Sequence, residues 1–274
     1  MINPVVIVPV HKEIPLPLER VSLSRCADVL GAYKIILVAP KGLSLDIYSE
    51  ILPMASCLRI DEKFMANISA YNSMMISPVI VSQLDSYSHM LVHEPDAIVF
   101  RDDLYYWCWQ PLDYIGAPWF EGYDNAKFDA KIIGIGNSGF SLHNLDALRR
   151  ITSSKHRWYP FKEILSDIIQ GFKGDLRRLQ KGLKAIGSAG QLRGAWKIYD
   201  GNCDLYWSNI VPKVDSKYRV AIISDALNFS WEALPSRCME LNSNKLPFGM
   251  HAWARYDIDF IKPYLVATGV NFDV

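Results

Sequence analysis

Two carboxylates, Glu94 and Asp96, stand two residues apart behind an apolar run, and His251 lies far downstream in the segment PFGMH at 247–251. Alternate side chains of an extended chain point the same way, so both acids can face one point in space. Two hard oxygen donors and an imidazole nitrogen form a donor set for Mn²⁺ or Mg²⁺. A cation held at the rim of a sheet suits a nucleotide diphosphate, because it neutralises charge that develops on a leaving phosphate. The plain alternatives are a solvated turn for the acids and a packed core position for His251.

Other residues fit around that centre. His11, just past the first apolar run, is placed to meet phosphate or base, or is an ordinary loop residue. The stretch GIGNSGF at 134–140 has the glycine spacing of a dinucleotide fingerprint, but the residues after it continue as strand rather than opening a helix. It reads better as backbone in close approach to a sugar, with Asn137 and Ser138 offering hydrogen bonds beside Gly139. Asp204 is either a helix cap or a general base that takes a proton from an acceptor hydroxyl. In-line attack by that hydroxyl would invert an anomeric centre. Trp119 and Trp207 are expected to offer ring faces to an acceptor sugar, although most tryptophans are core residues. Two other readings stay open: a phosphoesterase using His11, Glu94, Asp96, Asp102 and His251, and a carbohydrate-binding module resting on the tryptophans.

Local patterns indicate how these groups are positioned. Residues 5–10 read as a buried strand, 16–31 as a helix and 34–39 as a second buried strand. Strand, helix and strand in succession make a βαβ unit and a parallel sheet, whose carboxyl edge carries the ligand crevice. Residues 68–84 are helical in composition, but Pro78 must split them. Residues 220–223 read as a strand and 226–233 as a helix. The stretch 161–198 holds eight Lys or Arg against three acids, with apolar residues at helical spacing. It reads as a basic amphipathic helix or hairpin inserted into the fold, and its cationic face either docks on an anionic membrane or packs as a solvated helix.

Composition sets outer bounds. The chain has 274 residues, half of them hydrophobic, and 29 Lys plus Arg against 29 Asp plus Glu. Balanced charge argues against a dedicated nucleic-acid binder. The five cysteines are widely spaced with no CxxC, which argues against a zinc ribbon or redox pair and suggests free thiols in a reducing compartment. The N-terminal residues run into a strand with no basic segment ahead, and no apolar run reaches the ~18 residues a membrane span requires. A cytoplasmic protein is expected, peripheral to the inner face of a membrane if 161–198 docks there.

The ordered set VIVPV at 6–10, LVAP at 37–40, YNSMM at 71–75, HEPDAIVF at 93–100, DYIGAPW at 113–119, GNSGFSL at 136–142, FSWE at 229–232 and PFGMH at 247–251 resembles a bacterial family of GT-A-type glycosyltransferases of surface-polysaccharide (O-antigen and capsule) synthesis. The resemblance implies a GT-A-like, Rossmann-related α/β fold. Its mixed, mostly parallel sheet would be flanked by helices in a single domain over 1–274, with 161–198 as the inserted segment. It implies a nucleotide-sugar donor, most simply a UDP-hexose, a divalent cation, and a glycan or lipid-linked oligosaccharide acceptor. The family's metal-binding acid pair falls on Glu94 and Asp96, with Glu in the first place, and its late histidine on His251. Its donor contacts fall on Pro9, Val10 and His11 and on Asn137, Ser138 and Gly139. The second acid of its acceptor-side pair falls on Asp204.

Overall fold

The computed structural model describes residues 1–272. Contacts divide the chain into two compact units, the first made of residues 1–62, 87–144 and 220–274 and the second of 63–86 and 145–219.

The first unit opens with β1 (Pro4–Pro9), α1 (Pro17–Leu30), β2 (Lys34–Pro40), α2 (Asp46–Ile51) and β3 (Ser56–Ile60). Every residue of β1 is buried, as a strand covered on both faces requires. In the second unit α3 (Ile68–Met75) and α4 (Pro78–Val81) follow. Pro78 separates them as its missing N–H demands, and Ser77 caps the restart by accepting from the Val79 N–H. The chain returns to the first unit for β4 (His89–His93), β5 (Ile98–Val99), α5 (Leu104–Trp109), β6 (Tyr114–Ile115), β7 (Ala117–Phe120), β8 (Ile132–Gly136) and β9 (Phe140–Asn144). The second unit continues with α6 (Leu145–Ser153), α7 (Phe161–Phe172), α8 (Leu176–Ile186), α9 (Cys203–Leu205) and α10 (Val211–Val214), and the first closes with α11 (Ile223–Phe229), β10 (Ser230–Trp231), α12 (Pro235–Leu241), β11 (Gly249–Met250) and α13 (Ile258–Ala267).

The main sheet has the order β3-β2-β1-β4-β9-β6. β1, β2, β3 and β4 run parallel to one another, whereas β9 is antiparallel to both β4 and β6. The fold is therefore mixed α/β with a mostly parallel central sheet and flanking helices. The chain walks outward from β1 to β3 and then restarts on the other side of β1 with β4. That reversal is a topological switch point, where the carboxyl ends of neighbouring strands leave a crevice. Ile7 of β1 is in register with Val92 of β4, so Pro9, Val10 and His11 leave the sheet beside Glu94. Two small sheets complete the unit: β10-β11-β5 and the pair β7–β8.

Two local expectations differ from the structure. Residues 220–223 form no strand: Val220 makes a single bridge to Tyr114 and α11 begins at Ile223. β6 is only two residues long and offers nothing on which a ladder could extend. The helix expected over 226–233 stops at Phe229, because Ser230 and Trp231 pair with Gly249 and Met250.

His143 of β9 is buried, its ring 4.9 Å from that of Tyr114, and burial pushes its pKa down to about 3. The unfolded chain binds its proton near pH 6.5. Between those values the unfolded state holds one proton more, so this contribution to stability is complete above pH 6.5 and is lost as pH falls toward 3, by about 1.4 kcal/mol per pH unit. Urea midpoints measured down this acid range should therefore fall less steeply in His143→Gln than in the parent, by one proton's slope. Parallel curves would show that His143 does not govern acid stability.

Candidate metal and nucleotide site

The acid pair sits on a tight turn, not on extended chain. β4 ends at His93, and the Ala97 N–H donates to the Glu94 carbonyl at 2.9 Å, closing a four-residue turn. Pro95 takes the second position, where its fixed φ is favourable. The turn, rather than strand alternation, aims both carboxylates at His251. The Nε2 of that residue lies 3.6 Å from Glu94 Oε2 and 3.4 Å from Asp96 Oδ1.

His251 arrives from the other end of the chain. β11 lies antiparallel to β5, with Met250 opposite Ile98, so the residue just past β11 returns to the turn just before β5. β10 runs parallel to β11 with Trp231 opposite Met250, which brings Glu232 alongside. Nδ1 of His251 is 2.9 Å from Glu232 Oε1. Glu232 carries no role in the sequence reading, although the FSWE segment at 229–232 contains it. The only signal was the parallel placement of FSWE and PFGMH, each ending in a polar residue behind a short apolar run.

Three carboxylates therefore face one imidazole. Burial opposes charge on His251, but the surrounding carboxylates of Asp96, Glu232 and Glu94 outweigh it and hold its pKa well above the usual imidazole value. Burial likewise works to raise Asp96, and the His251 hydrogen bond overcomes it, leaving that carboxyl below the usual range. Glu94, Asp96 and His251 each offer one ligand atom, all within 4.8 Å of one another. The donor set fits a divalent cation: two oxygens and one nitrogen suit Mn²⁺ better than the all-oxygen preference of Mg²⁺. Glu232 accepting at Nδ1 turns Nε2 toward the two acids, as a carboxylate behind a metal-bound histidine does. Asp96 keeps 45% of its side chain exposed while His251 keeps 15%, so the cluster opens to solvent on its Asp96 side. His93 points elsewhere: its ring is fully buried against Phe140 and burial lowers its pKa to about 4.

The turn from β8 to β9 closes another side. Asn137 is buried at φ 125°, a strained conformation for a non-glycine residue. It is held by its own Oδ1, which accepts from the Gly139 and Phe140 N–H groups at 2.6 and 3.1 Å, and by Tyr114, whose hydroxyl donates to its carbonyl. The Gly139 carbonyl accepts from the Glu94 N–H at 2.8 Å. A Cβ on Gly139 would lie 2.1 Å from the His251 ring, so glycine is what lets the imidazole reach the acids. Ser138 is half-buried in the same turn, and His11 is exposed past β1.

Other candidates stand apart from this geometry. The Asp102 carboxylate accepts from the Tyr33 hydroxyl at 2.9 Å and from the Leu104 N–H, so it is committed to the start of α5 and is not in the ligand cluster. Trp119 offers no open face to an acceptor: it is 9% exposed, with its ring against Gly136, whose missing Cβ makes the room. Trp207 is corrected in the same way. It is 1% exposed in the second unit, stacked on Tyr218 in a π-helical turn over Tyr206–Ile210. Aromatic density at both positions expresses core packing. Asp204, at the start of α9 in the second unit, is half-buried. The loop before it is fixed by the Cys203 N–H, which donates to Asn72 Oδ1 at 2.9 Å.

The family profile described as "Protein of unknown function (DUF5672)" matches residues 55–251, and the chain belongs to that family. No curated protein matches the sequence. Among solved structures, the chain is similar to the galactosyltransferase LgtC in complex with donor and acceptor sugar analogs, at 12% identity over 98% of this chain and 97% of that one, with a TM-score of 0.46. It is similar to mouse xyloside xylosyltransferase 1 in its apo form, at 10% identity over 91% and 97%, TM-score 0.47. It is also similar to core-mannan synthase A from Aspergillus fumigatus in its Mn/GDP form, at 11% identity over 54% and 61%, TM-score 0.40.

Proposed function

We propose that this protein is a GT-A-like glycosyltransferase that moves a hexose from a nucleotide sugar, most simply UDP-linked, to a hydroxyl of a glycan or lipid-linked glycan. One observation carries the reading: Glu94, Asp96 and His251 converge at the carboxyl edge of the sheet, beside the switch point between β1 and β4. A cation bound by these three residues supplies Lewis-acid neutralisation of the leaving diphosphate. The exit of β1 at Pro9, Val10 and His11 is the proposed seat of the nucleoside and its phosphates. Asn137, Ser138 and Gly139 are the proposed contacts to the sugar. Asp204 is the proposed base for the acceptor hydroxyl, with inversion at the anomeric carbon. We take residues 1–274 to be one transferase domain with 161–198 as an inserted segment, and surface-polysaccharide assembly to be the process served.

A melting screen of nucleotides and nucleotide sugars, with and without Mn²⁺, tests the class. A diphosphate-linked sugar at saturating concentration should raise the melting temperature by about 5 °C or more, and only with the cation. A matching shift from inorganic phosphate or a nucleoside monophosphate would count against a diphosphate site. Release of nucleotide at the same rate with and without acceptor would point instead to a phosphoesterase.

A further inference from the structure

Helices α7 and α8 form an antiparallel hairpin with unusually little between them. A Cβ added at Gly171 would lie 2.3 Å from Leu179, and one at Gly182 would lie 2.9 Å from Ile168. Axes this close leave no space for large side chains in the contact, so those are displaced outward. On α7, Phe161, Leu165, Ile169 and Phe172 are 70, 60, 45 and 80% exposed. On α8, Leu176, Leu183 and Ile186 are 67, 54 and 56% exposed.

The turn of the helix decides where these side chains go. At about 100° per residue, the exposed set on α7 lies to one side of its packed positions Ile164, Asp167 and Gly171. The set on α8 is rotated in the same sense from Gly182 and Ala185. In an antiparallel pair, equal senses of rotation carry both sets to the same side, so the hairpin presents one apolar face. Lys162 and Lys173 border it along the outer edge of α7, within about 40° of Ile169 around the helix, and both are exposed. Of the three acids in this stretch, Glu163 is exposed but lies about 120° around α7 from Ile169, away from the apolar set. Asp167 is buried and accepts from the Tyr159 hydroxyl, and Asp175 caps α8 by accepting from the Arg178 N–H.

We propose that this hairpin is a docking face for an anionic lipid bilayer, lying in the plane of the interface with its apolar side among the upper acyl chains. Charge complementarity selects the occupant: an apolar stripe edged by cations matches acyl chains beneath phosphate headgroups. No helix among the described residues is long and apolar enough to cross a membrane, so the attachment is lateral and reversible. It stands independently of the transferase reading.

Flotation of the full chain with vesicles tests it, without nucleotide or cation. The protein should float with mixed phosphatidylcholine–phosphatidylglycerol vesicles at low salt, less at high salt, and poorly with phosphatidylcholine alone. Phe172→Ser should weaken partition about tenfold. Lys162→Gln and Lys173→Gln should each weaken it about fivefold, and these surface variants leave the helix contact intact. Failure to float with anionic vesicles at low salt would overturn the proposal, as would flotation indifferent to all three variants. Self-association of the parent that Phe172→Ser abolishes, with no vesicle binding, would overturn it in favour of a second copy on this face.

Discussion

In Asp96→Asn, cation-dependent binding of a nucleotide sugar is expected to weaken by about a hundredfold or more, while the metal-free protein stays folded and melts only slightly lower than the parent. The first half follows from ligand chemistry: an amide oxygen carries no charge and holds Mn²⁺ poorly. The second follows from the geometry. Glu94, Asp96 and Glu232 all crowd His251, and one imidazolium does not neutralise three carboxylates. Removing one acid relieves some repulsion, but His251 holds the Asp96 carboxyl below its usual range, so losing that charge still costs some stability. Glu232→Gln should be milder, with cation affinity down by about ten- to a hundredfold, because Glu232 acts through the orientation of His251. Titrating Mn²⁺ in the presence of UDP against all three proteins by calorimetry ranks them. If Asp96→Asn binds as the parent does and melts much lower, the cluster is a structural ion-pair network and the metal proposal fails.

Gly139→Ala is expected to cause a comparable loss of cation-dependent binding from a single methyl group. The added Cβ would meet the His251 ring at 2.1 Å from Cδ2 and 2.3 Å from Nε2, so the ring must leave its place. It has little freedom to do so, since Nδ1 is held by Glu232 and only 15% of the side chain is exposed. Gly139 does not sit in the left-handed region, so the substitution strains no backbone and its effect reports on contact alone. Overpacking of this kind costs about 1–3 kcal/mol, which lowers the melting temperature of a domain this size by only several degrees. The protein should therefore remain folded while its response to Mn²⁺ disappears. Full Mn²⁺ response in Gly139→Ala would mean that His251 is not a ligand in the loaded site.

Several features were open to reading in one dimension. β1 and β2 are short β-branched runs covered on both sides, and α1 lies between them, so the βαβ opening followed from composition and order. The break at Pro78 needed only the missing N–H of proline. Amphipathy of 161–186 was visible in the spacing of its apolar residues, and the grouping of Glu94 with Asp96 followed from their separation. What determined these features is local: period, ring chemistry and charge within one turn or one strand.

The rest depended on pairings between distant segments. Nothing near Phe229 indicates that the helix must stop there; Trp231 is drawn into strand by Met250. Nothing near Glu232 marks it as a partner of His251, and nothing in GNSGFSL says that its second glycine makes way for an imidazole. Trp119 and Trp207 have the composition of sugar-stacking residues, and burial alone makes them core. Sequence determined which elements form, because hydrogen bonds and side-chain period within an element are set by its own residues. The tertiary structure decided which residues share the site, because the register of β5, β10 and β11 is a long-range choice made by packing.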